Sequence, residues 1–305
     1  MTNYLTFIAG SDIDYFYEVE NFLGKGDACL TKILDTKVGG CVLNAASVCE
    51  GLGSKTRVLD YLKENDEGTR LIVDTLKNNN VDTSYIQYGK NVTNGTCLIM
   101  CKDDEKCIYV IEPDRPFFEE DDKLKELLFN SKYIYSLMHT LKLSFKSLDI
   151  LNETKKHGTK IVFDAGSQYL DLSDRDILLE YADGLFINKK AYERLVNVCE
   201  KNPLDYMFNR GLEFAIITNG SKGADLYLKN KLIHEDAFKV EVKDSTGAGD
   251  SFAGAFLHFL DKGCSYAECL KYASALGAYA CTGLGGMSGI ISEDELIRFM
   301  KKTSK

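Results

Sequence analysis

Three prolines in 305 residues leave little to punctuate this chain, so its segment boundaries rest on glycine and asparagine and are soft. Histidine is as scarce: His139, His157, His234 and His258 lie far apart and show no metal-ligand spacing, which assigns each to the surface or to packing. No Cys-x-x-Cys pair occurs among the ten cysteines, and several fall inside apolar helical patterns. They read as small buried hydrophobes in a reducing cytosol. A zinc site from Cys97, Cys101 and Cys107 is disfavoured by irregular spacing, strand-like alternation and the lack of a nearby histidine. No apolar run reaches the ~18 residues that a bilayer span requires. Met1 to Gly10 lack a basic region followed by a long apolar one, so no signal peptide is expected and the expected location is cytoplasmic. The four Asn-x-Ser/Thr sequences, those at Asn91 and Asn94 among them, carry no weight there. Positive charge is also short: 37 Lys and Arg against 46 Asp and Glu give −9. That argues against nucleic-acid or membrane-surface partners, while a local basic pocket for phosphate remains open. Gly-Lys-Ser/Thr is absent, so there is no Walker loop, and without Gly-x-Gly-x-x-Gly a dinucleotide fold has no support. The missing Gly-x-Ser-x-Gly elbow argues against a hydrolase of that type.

What is present suits one large α/β domain or two small ones, with an ordinary apolar fraction of 45%. Strand-like segments at Tyr133–Ser136, Lys160–Phe163, Gly184–Ile187 and Phe214–Thr218 alternate with helical patterns at Phe145–Lys156 and Lys190–Cys199. Helices are expected at about 251–262 and 266–281, and a last one at about 293–301 with Ser292 as N-cap and Glu295 three residues on. Such alternation predicts a mostly parallel sheet covered by helices on both faces. The N-terminal third differs. Leu5–Ala9 reads as a buried strand, but Tyr15–Leu34 shows no long helix. Thr96–Met100 and Cys107–Ile111 are strand-like and joined by the charged turn Lys102–Lys106. They predict a small antiparallel sheet projecting from the body, either a lid or an ordinary edge hairpin. There is no internal repeat and no low-complexity tract.

The most informative stretch is Asp244 to Phe256, where a Gly-rich turn ends in the carboxylate of Asp250 and an apolar helix follows at once. Phe252, Phe256, Phe259 and Leu260 recur at helical spacing. Gly247 and Gly249 allow a tight turn. The N–H groups of such a turn, with the helix dipole behind them, attract anions. An acid at an anion site repels phosphate and needs a reason. Proton abstraction from a hydroxyl, while the turn holds a phosphoryl group in transfer, supplies one.

Three further constellations accompany it. Gly39 and Gly40 lead into a helix carrying Asn44, Ala45, Ala46, Val48 and Cys49. Asn44 is placed either to cap that helix or to hydrogen-bond a hydroxylated ligand. Gly10-Ser11-Asp12-Ile13-Asp14 follows the first strand, where paired acids suit sugar hydroxyls or are simply solvated. Thr218-Asn219-Gly220-Ser221-Lys222-Gly223 follows another strand and is either a phosphate loop or a plain turn.

In this order, over nearly the whole chain, these residues resemble the ribokinase/PfkB carbohydrate kinase family. Asp-Ser-Thr-Gly-Ala-Gly-Asp-Ser-Phe is similar to its C-terminal signature, and Gly39-Gly40 through Asn44 to its N-terminal one. The resemblance implies a ribokinase-like α/β fold over residues 1–305 as a single kinase domain, with lid segments at about 12–36 and 94–113. It implies ATP with Mg²⁺, and a primary hydroxyl of a sugar, nucleoside or similar alcohol as acceptor. By the same resemblance Asp250 is the general base, and Gly247, Ala248 and Gly249 form the anion hole. Asp14, Gly39, Gly40 and Asn44 bind substrate. Asn188, Thr218, Gly220, Lys222 and Gly223 serve the nucleotide, with adenine near Ala275, Ala278 and Tyr279. A monovalent cation, K⁺, is implied at Asp244 and Thr246, with Gly285 and Ser288. A homodimer through the lid, using Tyr15 to Leu34, is implied as well.

The chain departs from the family's pattern in places. Where the family has Asn-x-x-Glu, Asn188 is followed by Ala191, and Glu193 would face elsewhere on a helix. The usual Gly-x-Asp-x-x-Gly reads Lys63–Gly68, and Cys41 and Leu43 replace small or charged residues, so ribose specificity is not supported. A nucleoside kinase of the same fold is the nearest rival, since Phe7, Tyr15, Phe16 and Tyr17 could stack on a base, although lid packing is the preferred reading of them. A non-catalytic binding protein that kept the fold is the rival from another class.

Overall fold

A computed structural model describes residues 4–8, 10–103, 105–165, 180–199 and 202–303. Ala9, expected to close the first strand, and Asp104, in the charged turn, lie outside these residues.

The strands, in chain order, are β1 Tyr4–Ile8, β2 Asp12–Glu18, β3 Lys32–Gly39, β4 Thr56–Leu59, β5 Tyr61–Lys63, β6 Gln87–Gly89 and β7 Gly95–Lys102. They continue with β8 Glu105–Ile111, β9 Ser131–Leu137, β10 Lys160–Asp164, β11 Gly184–Asn188, β12 Phe214–Thr218, β13 Ala224–Leu228 and β14 Lys231–Glu235. Eight of them form one sheet in the order β14-β13-β12-β11-β10-β9-β1-β4. The pairs from β12 to β4 are all parallel, and β13 and β14 add an antiparallel edge.

Alternation along the central strands divides the core into two layers, because successive side chains point to opposite faces. Leu5 and Phe7 join one cluster and Ile8 the other; Phe186 joins the first, Leu185 and Ile187 the second. The first layer is roofed by the helices Cys41–Leu52, Ala248–Asp261 and Tyr266–Ala280, the second by Asp122–Phe129, Asp149–Lys156 and Lys189–Val198. Helices thus cover both faces, as the alternating pattern predicts. The expected capping box of the last helix, Glu293–Thr303, is present: the Glu295 N–H donates to Ser292 Oγ and the Ser292 N–H to Glu295 Oε2.

A second sheet, in the order β3-β2-β7-β8, carries the projecting strands. It is mixed rather than antiparallel, because β2 lies parallel to β7 between them and β3. This places Asp12 and Asp14 within β2 and Gly39 at the end of β3, so the small sheet runs directly into the residues that the sequence singled out. No helix among the described residues is long and apolar enough to cross a membrane. The ten cysteines are free, Cys97, Cys101 and Cys107 included, and no group of metal-ligating side chains occurs among the described residues.

Candidate active site

The turn before Ala248–Asp261 is shaped by glycine. Gly247 caps that helix at φ 76°, a left-handed conformation, and a Cβ there would collide with the carbonyl of Gly286. On the facing element, Gly40 adopts φ 101°, where any side chain would strike the carbonyl of Gly10. Gly39 has no room for a side chain because the Asp14 carboxylate lies against it. Four chain segments therefore meet in two close pairs at positions without side chains, Gly247 against Gly286 and Gly39–Gly40 against Gly10–Asp14.

Asn44 and Asp250 meet across this junction, with Nδ2 donating to Oδ2 at 2.7 Å. Asn44 is not a helix cap. It lies inside the helix Cys41–Leu52, its own N–H donates to Gly40, and its side chain is turned to the acid. Its buried Oδ1 has no hydrogen-bond partner, which leaves an acceptor for a ligand hydroxyl. Asp250 is half-buried. Desolvation pushes its carboxyl up to about 7, Asn44 pulls the other way, and the charges of Asp164 and Asp14 add to the rise. Asp12 is raised to about 7 as well, first by burial and then by Asp14 and Asp60. Asp60 holds this corner: it accepts from the Ser11 N–H at 3.1 Å and pairs with Arg115. Asp164, at the end of β10, accepts from the Tyr135 hydroxyl at 2.8 Å. The Cys41 thiol is pushed well above its usual range by burial and by Asp250, Asp164 and Asp12, so it stays protonated among these acids.

On the other side of the turn lies a cavity of about 480 Å³, within the size range of small-molecule sites. Thr218, Gly220 and Gly223 line it, as do Ala278, Ala248 and Gly249. Lys222 and Asn188 are not among its lining residues, and Ala275 is fully buried in the core. Asn188 instead caps the helix Lys189–Val198 by accepting from the Ala191 N–H at 2.8 Å. Tyr279 is also absent from the cavity wall and packs its ring against Phe299. The opposite wall, Phe238, Val240 and Val242, was not anticipated. Its signal is the apolar alternation in the stretch after β14, which the structure leaves without regular pairing.

Of the three N–H groups implied for an anion hole, that of Ala248 donates to the Ser245 carbonyl at 3.2 Å. In the quartet implied for a monovalent cation, Asp244 receives Lys106 Nζ at 3.0 Å and Ser288 Oγ donates to the Ala280 carbonyl. Of the four aromatics considered for base stacking, Phe7 is fully buried against Tyr135, and the ring of Phe16 lies under Lys37.

Residues 5–293 match the pfkB family of carbohydrate kinases. The chain belongs to this family. It is 24% identical to the nucleoside kinase of Methanocaldococcus jannaschii over 98% of this chain and 97% of that protein. It is 27% identical to the ribokinase of Dictyostelium discoideum over 85% of this chain and 88% of that one. Among solved structures, Arabidopsis thaliana ribokinase complexed with ribose and ATP aligns with a TM-score of 0.84 at 21% identity, covering 99% of both chains. The ribokinase fold of this pfkB-family protein, including its small second sheet, is thereby shown.

Proposed function

We propose that the protein transfers the γ-phosphoryl group of ATP to a hydroxyl of a small sugar, with Asp250 as general base. The observation that carries this reading is the position of Asp250. The start of its helix, Ala248 and Gly249, lines the 480 Å³ cavity, while its carboxyl is held by Asn44, feels the charges of Asp164 and Asp14, and is raised to about 7. A base is most effective when its pKa lies near the working pH.

The acceptor hydroxyl gives its proton to the Asp250 carboxylate as its oxygen bonds to the γ-phosphorus. The bond from that phosphorus to the bridging oxygen breaks, and ADP departs. Gly247 and Gly249 present N–H groups to the moving phosphoryl charge at the start of the helix. Asp14, Asp12 and the unpartnered Asn44 Oδ1 accept from sugar hydroxyls and fix the acceptor in line. ATP is supported by the cavity and by the ATP complex of the Arabidopsis relative. Mg²⁺ is supported by an Escherichia coli structural relative bound to ATP and Mg²⁺. When bound, the ion neutralises charge on the triphosphate. Ala191 is buried and has no carboxylate to offer such an ion.

A nucleoside acceptor is the second reading, favoured by the end-to-end match to the Methanocaldococcus nucleoside kinase. With Phe7 in the core, stacking on a base would fall to Tyr15 and Tyr17. A homodimer through the small sheet fits the apolar side chains exposed there, Ile33, Leu34, Ile108 and Tyr109 among them. A panel of ribose, fructose, keto-deoxy sugar acids, adenosine and inosine with ATP tests the function. Phosphorylation of a free sugar is the expected result and a nucleoside product supports the second reading. Nucleotide binding without turnover of any acceptor makes the protein a binder.

A further inference from the structure

Asp244 opens the turn that carries Gly247 and Asp250, and four donors converge on its two oxygens. Oδ1 receives the Thr246 N–H at 3.0 Å, the Thr246 hydroxyl at 2.7 Å and Lys106 Nζ at 3.0 Å. Oδ2 receives the Gly285 N–H at 3.0 Å. Lys106 Nζ also donates to Thr246 Oγ1 at 3.1 Å, so the ammonium spans both side chains.

A free K⁺ needs several oxygen lone pairs aimed at one point in place of its water. These residues do not offer that. Gly285 presents its N–H to Asp244, Ser288 gives its hydroxyl to Ala280, and an ammonium already touches Asp244 Oδ1 and Thr246 Oγ1. A second unit charge a few ångströms from the first would be repelled. Lys106 comes from β8 in the small sheet, 138 residues away in the chain, and the side chains of Lys106 and Asp244 are only 33% and 14% exposed. The chain entering the turn is itself fastened, with Lys243 N–H donating to Cys281 at 2.8 Å.

We propose that Lys106 is a built-in monovalent cation. Brought by the small sheet, its ammonium neutralises Asp244 and holds the Asp244–Gly249 turn in shape, so the protein works without free K⁺. Lys106 is then a positioning residue, because it acts on the phosphoryl site through Asp244 and the turn. The catalytic part of this inference rests on the kinase reading; the ion-binding part does not.

The test compares wild type, Lys106→Met and Lys106→Arg in chloride salts of K⁺, Na⁺ and tetramethylammonium at constant ionic strength. Both ATP-dependent turnover and melting temperature are read. Wild type is expected to differ by less than about twofold in rate among the salts and to melt at the same temperature in all. Lys106→Met is expected to lose about tenfold or more in rate without K⁺, or ~1.4 kcal/mol in barrier. K⁺ alone should restore part of that rate and raise the melting temperature of this variant. Lys106→Arg should keep both the rate and the indifference to K⁺. Three results overturn the proposal: a wild type activated or stabilised specifically by K⁺, a Lys106→Met protein that behaves as wild type in every salt, or Met and Arg variants equally inactive and unrescued. If no acceptor is phosphorylated at all, the kinase reading fails, and the melting temperatures still decide whether Lys106 excludes K⁺.

Discussion

Asn44 and Asp250 are 206 residues apart in the chain and 2.7 Å apart in space. Each explains the other's placement. The amide gives the acid one strong donor, enough to keep it ionisable in a site that would otherwise favour the neutral form. The acid fixes the rotamer of the amide, so that its Oδ1 is presented without a partner.

Replacing the proposed base should separate chemistry from binding. Asp250→Asn keeps an acceptor for Asn44 Nδ2, so the fold and nucleotide affinity should survive while kcat falls about 10²–10⁴-fold. The same variant reports on stability. The wild-type carboxyl rises from 3.8 unfolded to about 7 folded. Its contribution is therefore complete at acid pH and is lost as pH climbs through about 7. Above that, the folded protein carries a charge in a poorly hydrated site, and the amide does not. Asp250→Asn should gain on the order of 1 kcal/mol at pH 8, a few degrees in melting temperature, and nothing at pH 4.

The rate should depend on pH in one direction. If Asp250 is the base, as proposed, transfer needs it ionised, so kcat should rise as pH passes through about 7 and then level. Asn44→Ala removes the bond that favours the charged form. Its profile should keep the same shape and shift roughly one unit to higher pH, since a hydrogen bond to a charged group is worth about 1.5–3 kcal/mol. A full pH–rate profile of both proteins checks this, and an unshifted limb would detach Asn44 from the acid.

Gly247→Ala should be far more harmful than its size suggests. The left-handed φ of 76° and the Gly286 carbonyl both oppose a side chain. A loss of roughly 1–3 kcal/mol in stability is expected from the conformation alone. Displacement of the turn should add at least about a hundredfold in kcat. Denaturation and steady-state rates measured on one preparation separate the two effects.

The cavity should belong to the nucleotide. Ala278→Leu puts bulk into its wall at a half-buried position. KM for ATP should rise about tenfold or more, with KM for the acceptor unchanged. A rise in the acceptor's KM instead would mean that the assignment of the two halves is reversed.

The sequence made some of this legible and hid the rest. The turn from Asp244 to Asp250 could be read because its demands are local: glycine where side chains are forbidden, an acid at a helix start. The layered sheet could be read because strand-like runs such as Phe214–Thr218 alternate with helical patterns along the chain. Asn44 stayed ambiguous between cap and ligand because the partner that decides it lies on another helix. Lys106 looked like one charge among several in a solvated turn; only pairing β7 with β8 and laying them over the body shows what it reaches. Ala275 points the other way, since helical periodicity cannot tell a cavity wall from a core position one turn away.

Gly39 is the last residue of β3 in the small sheet, and the Asp14 carboxylate of β2 is pressed against it. The strands that project from the body are thus made of the same chain segments as the proposed acceptor pocket, with no spacer between. Anything that grips those strands, a twin copy or a crystallographer's antibody fragment, also pulls on the pocket. On the proposed reading, transplanting the acceptor pocket into a relative would require moving the strands as well.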